Sequence, residues 1–209
     1  FDKLTFRNSS EADDAYLIMD GINYGYHGHT DANSILRFTD NGRMWLCEAD
    51  YHKGDAKEHN TVTIMRDAVS ALPEVCAGVE AELETDAWGS TITRMPNYRG
   101  ADWDRHVLWH RPSDTFIVMD EIIPQEAGTY DVTSRLRSLG ETAMDGRVWS
   151  VKQQGDEMFY VHTPGAGHLS QTTAPEDSGN WAKYPYVEDT TPKVLRHRVI
   201  RDMQPGDRE

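Results

Sequence analysis

The sequence predicts an all-β chain folded as a large antiparallel β-sandwich or jelly roll. Three observations carry that expectation. Apolar and polar residues alternate with period two along most of the chain, short strand-like runs are separated by turn residues, and only residues 66–72 read as helical before Pro73 stops them. At 209 residues the pattern fits one domain spanning 1–209, since sandwiches of this length need not divide. A hydrophobic content of 38% and six Trp are enough for a real core.

Residues 15–19 form an apolar run suited to a buried strand. Residues 34–38 and 43–47 flank Asp40-Asn41-Gly42, whose Asn-Gly pair is a strong hairpin signal. Further strands are expected at 61–65, 79–85, 90–94, 105–109, 115–123, 129–136, 148–153 and 158–162, with 194–200 closing the sheet. In Glu80-Ala81-Glu82-Leu83-Glu84 the acids share one face, which predicts a half-exposed strand. Segment 163–192 is rich in Gly, Pro, Thr and Ser and reads as a long surface excursion.

The formal charge of -14 and pI near 5.0 argue against a nucleic-acid partner, which requires a basic face. A mean hydropathy of -0.68, with no apolar run near the roughly 20 residues of a spanning helix, argues against a membrane protein. Cys47 and Cys76 make no disulfide framework. They form one bridge or remain two buried thiols, and the apolar strand around Cys47 favours the thiols. A chain that begins at Phe1, without initiator Met or signal peptide, is expected to be a piece of a longer protein.

The functional signal is concentrated in Gly25-Tyr26-His27-Gly28-His29-Thr30-Asp31-Ala32-Asn33-Ser34, then Asp50-Tyr51, then His59-Asn60-Thr61-Val62. Residues i and i+2 of an extended segment point the same way, so His27 and His29 can face one site. Zn²⁺ takes imidazole with carboxylate, usually at four-coordinate geometry. The residues supply His29, Asp50 and His59 as ligands, with Asp31 and Asn33 behind them to fix the histidine tautomers. The plainer alternative is a set of loop histidines bonded to backbone, with no metal. A third reading takes His29-Thr30-Asp31 as an H-x-D pair completed by His106 or His110, the triad of a non-haem iron oxygenase.

At these residues the chain resembles the C-terminal domain of the heparinase II/III-like polysaccharide lyases. The run His27-Gly28-His29-Thr30-Asp31-Ala32-Asn33-Ser34 followed by His59-Asn60-Thr61-Val62 carries the likeness, joined by Asp50-Tyr51, Trp103-Asp104-Arg105 and Phe116-Ile117-Val118-Met119-Asp120. The resemblance covers about residues 15–123. It implies an N-terminal α/α toroid in the parent chain, packed on this sandwich, with the cleft between them. It implies β-elimination on an acidic polysaccharide: a uronate carboxylate is neutralised, the C5 proton is removed and the 4-linked sugar leaves. By motif position His27 takes part in catalysis, and His29, Asp50 and His59 hold a mainly structural Zn²⁺, with Asp55 as a substitute for Asp50. Tyr51, beside the proposed ligand, is the tyrosine best placed for a role in the cleft, ahead of Tyr24 and Tyr26. A periplasmic or secreted location follows from the resemblance alone.

A lyase for polyanions needs positive charge, and Arg37, Arg43, Lys53 and Lys57 flank the motif as a candidate patch in an otherwise acidic chain. A non-catalytic module that recognises sugar through Trp88, Trp103, Trp109, Trp149 and Trp181 is the competing reading from a different class.

Overall fold

The structure, a computed structural model, describes residues 1–24, 28–49 and 53–209, apart from the side chains of Ser178 and Asn180. Among the described residues sixteen strands form four antiparallel sheets, in agreement with the expected all-β sandwich. The first sheet runs in order β1 (Lys3–Arg7), β2 (Tyr16–Asp20), β3 (Ser34–Asp40), β4 (Arg43–Leu46). The second combines β5 (Val62–Arg66), β6 (Val69–Ser70), β11 (Gly128–Ser138), β15 (His168–Thr173) and β16 (Lys193–Met203) in the order β15-β16-β11-β5-β6. The third runs β10-β9-β8-β7, from β7 (Gly78–Glu84), β8 (Trp88–Met95), β9 (Ala101–His110) and β10 (Thr115–Pro124). A small sheet holds β12 (Glu141–Asp145), β13 (Val148–Lys152) and β14 (Met158–His162).

The core shows how these layers face one another. Ile64 and Tyr130 of the five-stranded sheet meet Met95, Trp103 and Ile122 of the β7–β10 sheet in one buried cluster. Leu17, Met19, Ile35 and Phe38 of the first sheet meet Val107 and Trp109 in a second. Each large apolar side chain so buried contributes about 2–3 kcal/mol. The β7–β10 sheet is therefore one layer, and the other two large sheets lie side by side as the opposing layer. Trp149 and Val151 pack the small sheet onto Leu195.

Asn60 is the junction of the two sheets in that composite layer. It is fully buried. Its Nδ2 donates to the carbonyls of Ile35 and Cys47, each at 2.8 Å, and its Oδ1 accepts the Arg137 N–H at 2.6 Å. Around it the Ile35 N–H donates to Asn60 O and the Cys47 N–H to Arg137 O, both at 3.0 Å. Three donors or acceptors at the ends of three strands are thus satisfied by one side chain, as buried backbone requires.

Four sequence expectations are corrected. Residues 66–72 are not helical: Asp67 and Ala68 adopt positive φ of 51° and 61°, closing a tight hairpin between β5 and β6. The apolar residues that suggested a helix face, Val69 and Leu72, are exposed, so burial gives no helix a reason to form. The β7 strand is exposed along its whole length rather than half-buried, because it is the outer edge of its sheet. Segment 163–192 contains β15 and a 3-10 turn, Pro175–Trp181, whose Trp181 packs with Met44, Cys47 and Leu139. Both thiols are free, but only Cys47 is buried, and burial pushes it up to about 12; Cys76 is exposed. The hairpin at Asn41-Gly42 forms as expected, with φ of 53° and 67°.

Candidate metal centre

Three segments converge beside the Asn60 junction. The turn entering β3 is held by Asn33, at φ 63°, whose N–H donates to Asp20 O at 2.6 Å, and by Asn23, whose Oδ1 accepts the Ala32 N–H at 2.7 Å. Within it Thr30 turns toward the second segment, donating from N–H (2.9 Å) and Oγ1 (2.6 Å) to the carbonyl of Gly54. His29 and Asp31, flanking Thr30, are left on the other side. The second segment passes through the 3-10 turn Ala56–Glu58, and its His59 is fully buried. The third is the end of β4, which delivers Glu48.

His29 Nδ1 lies 3.8 Å and His59 Nδ1 3.9 Å from the same Asp31 oxygen, and the two imidazole centroids are 5.2 Å apart. One ligand atom from each of these residues lies within 4.8 Å of the others. Ligand atoms about 2.0–2.1 Å from a tetrahedral Zn²⁺ stand roughly 3.3 Å from one another, so a modest closing of the group would bring three donors around one ion. His59 Nδ1 also donates to Glu48 Oε1 at 2.9 Å. Among the described residues Glu48 Oε2 and His59 Nε2 are buried without a hydrogen bond of regular geometry, and the Lys53 backbone also acts on the His59 ring. Under-satisfied buried polar atoms beside two imidazoles and two carboxylates suit a cation site.

The electrostatics agree. Burial raises the Asp31 carboxyl above its ordinary range, with the His59 charge acting against that rise. For His59 burial alone would lower the pKa. The Glu48 hydrogen bond and the charges of Glu48 and Asp31 outweigh it, so the ring is held above its ordinary value. The group attracts positive charge, whether a proton or a metal.

Of the residues expected from sequence, His29 and His59 come together. His27, Asp50, Tyr51 and Tyr26 lie outside the described residues. Asp31 stands level with the histidines rather than behind them. Asn33 orients no histidine: its Oδ1 accepts from Thr93 Oγ1 at 2.6 Å and its carbonyl from the buried Arg105 at 2.6 Å. Asp55 points to solvent and pairs with Lys57 at 3.0 Å, which removes it as a substitute ligand. Neither His106 nor His110 joins the H-x-D pair. His106 sits with Asp104 and Glu121, and His110 Nδ1 is 2.7 Å from Ser113 Oγ. Tyr24 is exposed.

Sequence reading gave Glu48, Asn60 and Arg105 no role. An acid where an apolar strand ends was the available signal for Glu48. Asn60 and Arg105 stood inside the runs His59-Asn60-Thr61-Val62 and Trp103-Asp104-Arg105, but their roles lie in contacts to residues distant in the chain. Arg105, on β9, grips Asp120 through Nε (2.8 Å) and Nη2 (3.0 Å) while Nη1 donates to Asn33 O, tying the site turn to the opposite layer.

No protein-family model matches the chain, and no curated protein matches it. Solved structures do. A heparinase III gene product matches with a TM-score of 0.73 and 15% identity over 99% of this chain and 33% of that one. A second heparinase III structure gives 0.70 and 14% over 99% and 34%. The heparan sulfate lyase HepC from Pedobacter heparinus gives 0.72 and 14% over 100% and 34%. The chain spans about a third of the length of the structures it matches. At such identity the likeness speaks for the fold, and the fold is the all-β C-terminal region of heparinase III.

Proposed function

We propose that the chain is the sandwich domain of a polysaccharide lyase that cleaves uronic-acid-containing acidic polysaccharide by β-elimination. The supporting observation is the meeting of His29, Asp31 and His59, two residues along the sequence from His27, in a chain with a heparinase III-like fold. In this reading His27 exchanges the proton with the substrate, Tyr51 lines the cleft, and an N-terminal α/α toroid of the parent chain supplies the other wall. The parent acts where such polymers are found, in the periplasm or outside the cell.

Zn²⁺ is the metal we assign. His29 and His59 would hold it, with a carboxylate from Asp31, Glu48 or Asp50. Bound there, it supplies structure: it ties the turn before β3 to the segment before β5 and the end of β4, and so stiffens the backbone that carries His27. Two histidines and one carboxylate also suit Fe(II) as a donor set, which would favour an oxygenase.

Metal mass spectrometry of the purified chain decides between them. Near-stoichiometric zinc in wild type, lost in His29→Ala and His59→Ala, is the expected result; iron in its place, or a folded chain with no metal, would overturn the zinc assignment. For the chemistry, His27→Ala in the two-domain parent should abolish formation of unsaturated uronate product. Residues 1–209 alone should bind zinc and show little or no turnover. Full turnover by residues 1–209 alone would refute the two-domain cleft.

A further inference from the structure

The four basic residues flanking the motif do not form a positive patch. Lys53 is engaged by Glu176 (3.6 Å) and Glu58 (4.0 Å), Lys57 by Asp55. Arg43 lies over the Tyr186 ring at 5.3 Å, and Arg37 is an exposed residue of β3. Two arginines side by side on one ladder lie elsewhere. Arg135 of β11 and Arg196 of β16 are direct partners across the antiparallel ladder. Arg135 is partly buried, yet its guanidinium donates only to neutral oxygens, Thr63 Oγ1 at 2.8 Å and Thr133 O at 3.2 Å, both through Nη1. Its Nε and Nη2 donate to no described protein atom, and neither is sealed from solvent. Asp131, whose charge acts on Arg135, is held in a two-point grip by Arg198.

We propose that Arg135 and Arg196 form an anion site that takes the carboxylate or sulfate of an acidic saccharide. The choice of saccharide rests on the lyase reading; the anion site itself rests on charge. In a chain of net charge -14, two adjacent guanidiniums with no acid between them stand out from their surroundings. Burial and the neighbouring Arg196 charge push Arg135 down to about 10 and outweigh Tyr98 and Asp131, which act the other way. An oxyanion set between the pair accepts charge-assisted hydrogen bonds from the idle Nε and Nη2, in the fork geometry that suits carboxylate and sulfate alike.

The location supports a role beside the metal group. The Arg135 N–H donates to Thr61 O at 3.1 Å, and its guanidinium reaches Thr63, so the segment running on from His59 also seats the arginine.

The test is a titration of the full 209-residue chain with sodium sulfate and, separately, sodium glucuronate, at constant ionic strength set with chloride, followed by side-chain NMR of arginine Nε. Saturable shifts of Arg135 are expected. Arg196→Gln should weaken the binding at least about tenfold, as loss of one charge-assisted contact implies. Arg37→Gln, which removes an exposed arginine elsewhere, should leave it unchanged. Tighter binding of glucuronate marks a sugar carboxylate as the natural group, and tighter binding of sulfate marks a sulfate ester. No saturable response to either anion would overturn the site, as would equal weakening by Arg196→Gln and Arg37→Gln. Chelated protein should behave identically, so the failure of the zinc or lyase assignment and the failure of this site are separate results.

Discussion

Among the described residues two clusters hold almost the same inventory of metal-ligating side chains, and they differ in what already neutralises them. His29, Asp31 and His59, with Glu48 against His59, form the first; Asp104, His106 and Glu121 form the second. In the second the carboxylates already have cations. Arg94 grips Asp104 through Nε and Nη2, both at 2.6 Å, and Arg208 pairs with Glu121. In the first no arginine or lysine pairs with Asp31 or Glu48 among the described residues, and buried polar atoms remain unsatisfied. Ligand types at short range are common in proteins; what distinguishes a centre is that nothing else has neutralised them.

The largest expected effect tests the frame beneath the first cluster. Asn60→Ala leaves the Ile35 and Cys47 carbonyls and the Arg137 N–H without partners, and should cost about 4 kcal/mol in urea unfolding. Asp104→Ala in the second cluster removes an ion pair whose arginine is 35% exposed and should cost under about 1 kcal/mol. Similar costs would erase the contrast.

Metal removal should come next. Chelation should destabilise wild type by about 3 kcal/mol when free metal had stood near a hundredfold above Kd. The same treatment should leave His29→Ala and His59→Ala unmoved, while His106→Ala should respond as wild type does. A chelator effect that needs His106 would transfer the site to the second cluster.

A smaller effect concerns protons in the chelated chain. The folded-state pKa of His59 is raised above the ordinary 6.5 by Glu48 and Asp31 against the pull of burial. Its contribution to stability is therefore complete below pH 6.5 and is lost as pH rises through the folded value. Glu48→Gln should flatten that dependence and cost about 1.5–2 kcal/mol at low pH, the worth of a hydrogen bond to a charged group. Loss of stability on acidification over the same window, measured by urea midpoints, would reverse the sign and refute the pairing. The smallest effect is His106→Ala, expected within about 0.5 kcal/mol of wild type because His106 is half-buried and its Glu121 partner keeps Arg208.

The all-β class was legible because alternation is a local property: strands such as Gly78–Glu84 and Ala101–His110 show it in their own residues. The strands that escaped notice, Lys3–Arg7, Glu141–Asp145 and His168–Thr173, are short and mostly exposed, so their patterning is weak. In the site, His29 and His59 were readable as a pair because the runs around them, Gly28-His29-Thr30-Asp31 and His59-Asn60-Thr61-Val62, carry metal-ligating residue types close together in sequence. The part played by Asp31 was not, since spacing alone does not say whether a carboxylate stands beside a ligand or behind it. Glu48 required knowing where β4 ends relative to His59. Arg135 and Arg196 lie 61 residues apart in sequence and acquire meaning only from their ladder register.

The Asn60 junction also has a consequence for when things happen during folding. Its three partners lie 25, 13 and 77 residues away. The β3–β4 hairpin can form early from local contacts, but the junction cannot close until β11 has arrived from far along the chain. His59 is the next residue, so its approach to His29 and Asp31 waits on the same event. These side chains are brought together by that long-range docking, and a half-made chain leaves them apart. On the zinc reading, metal capture would report that the two sheets have joined.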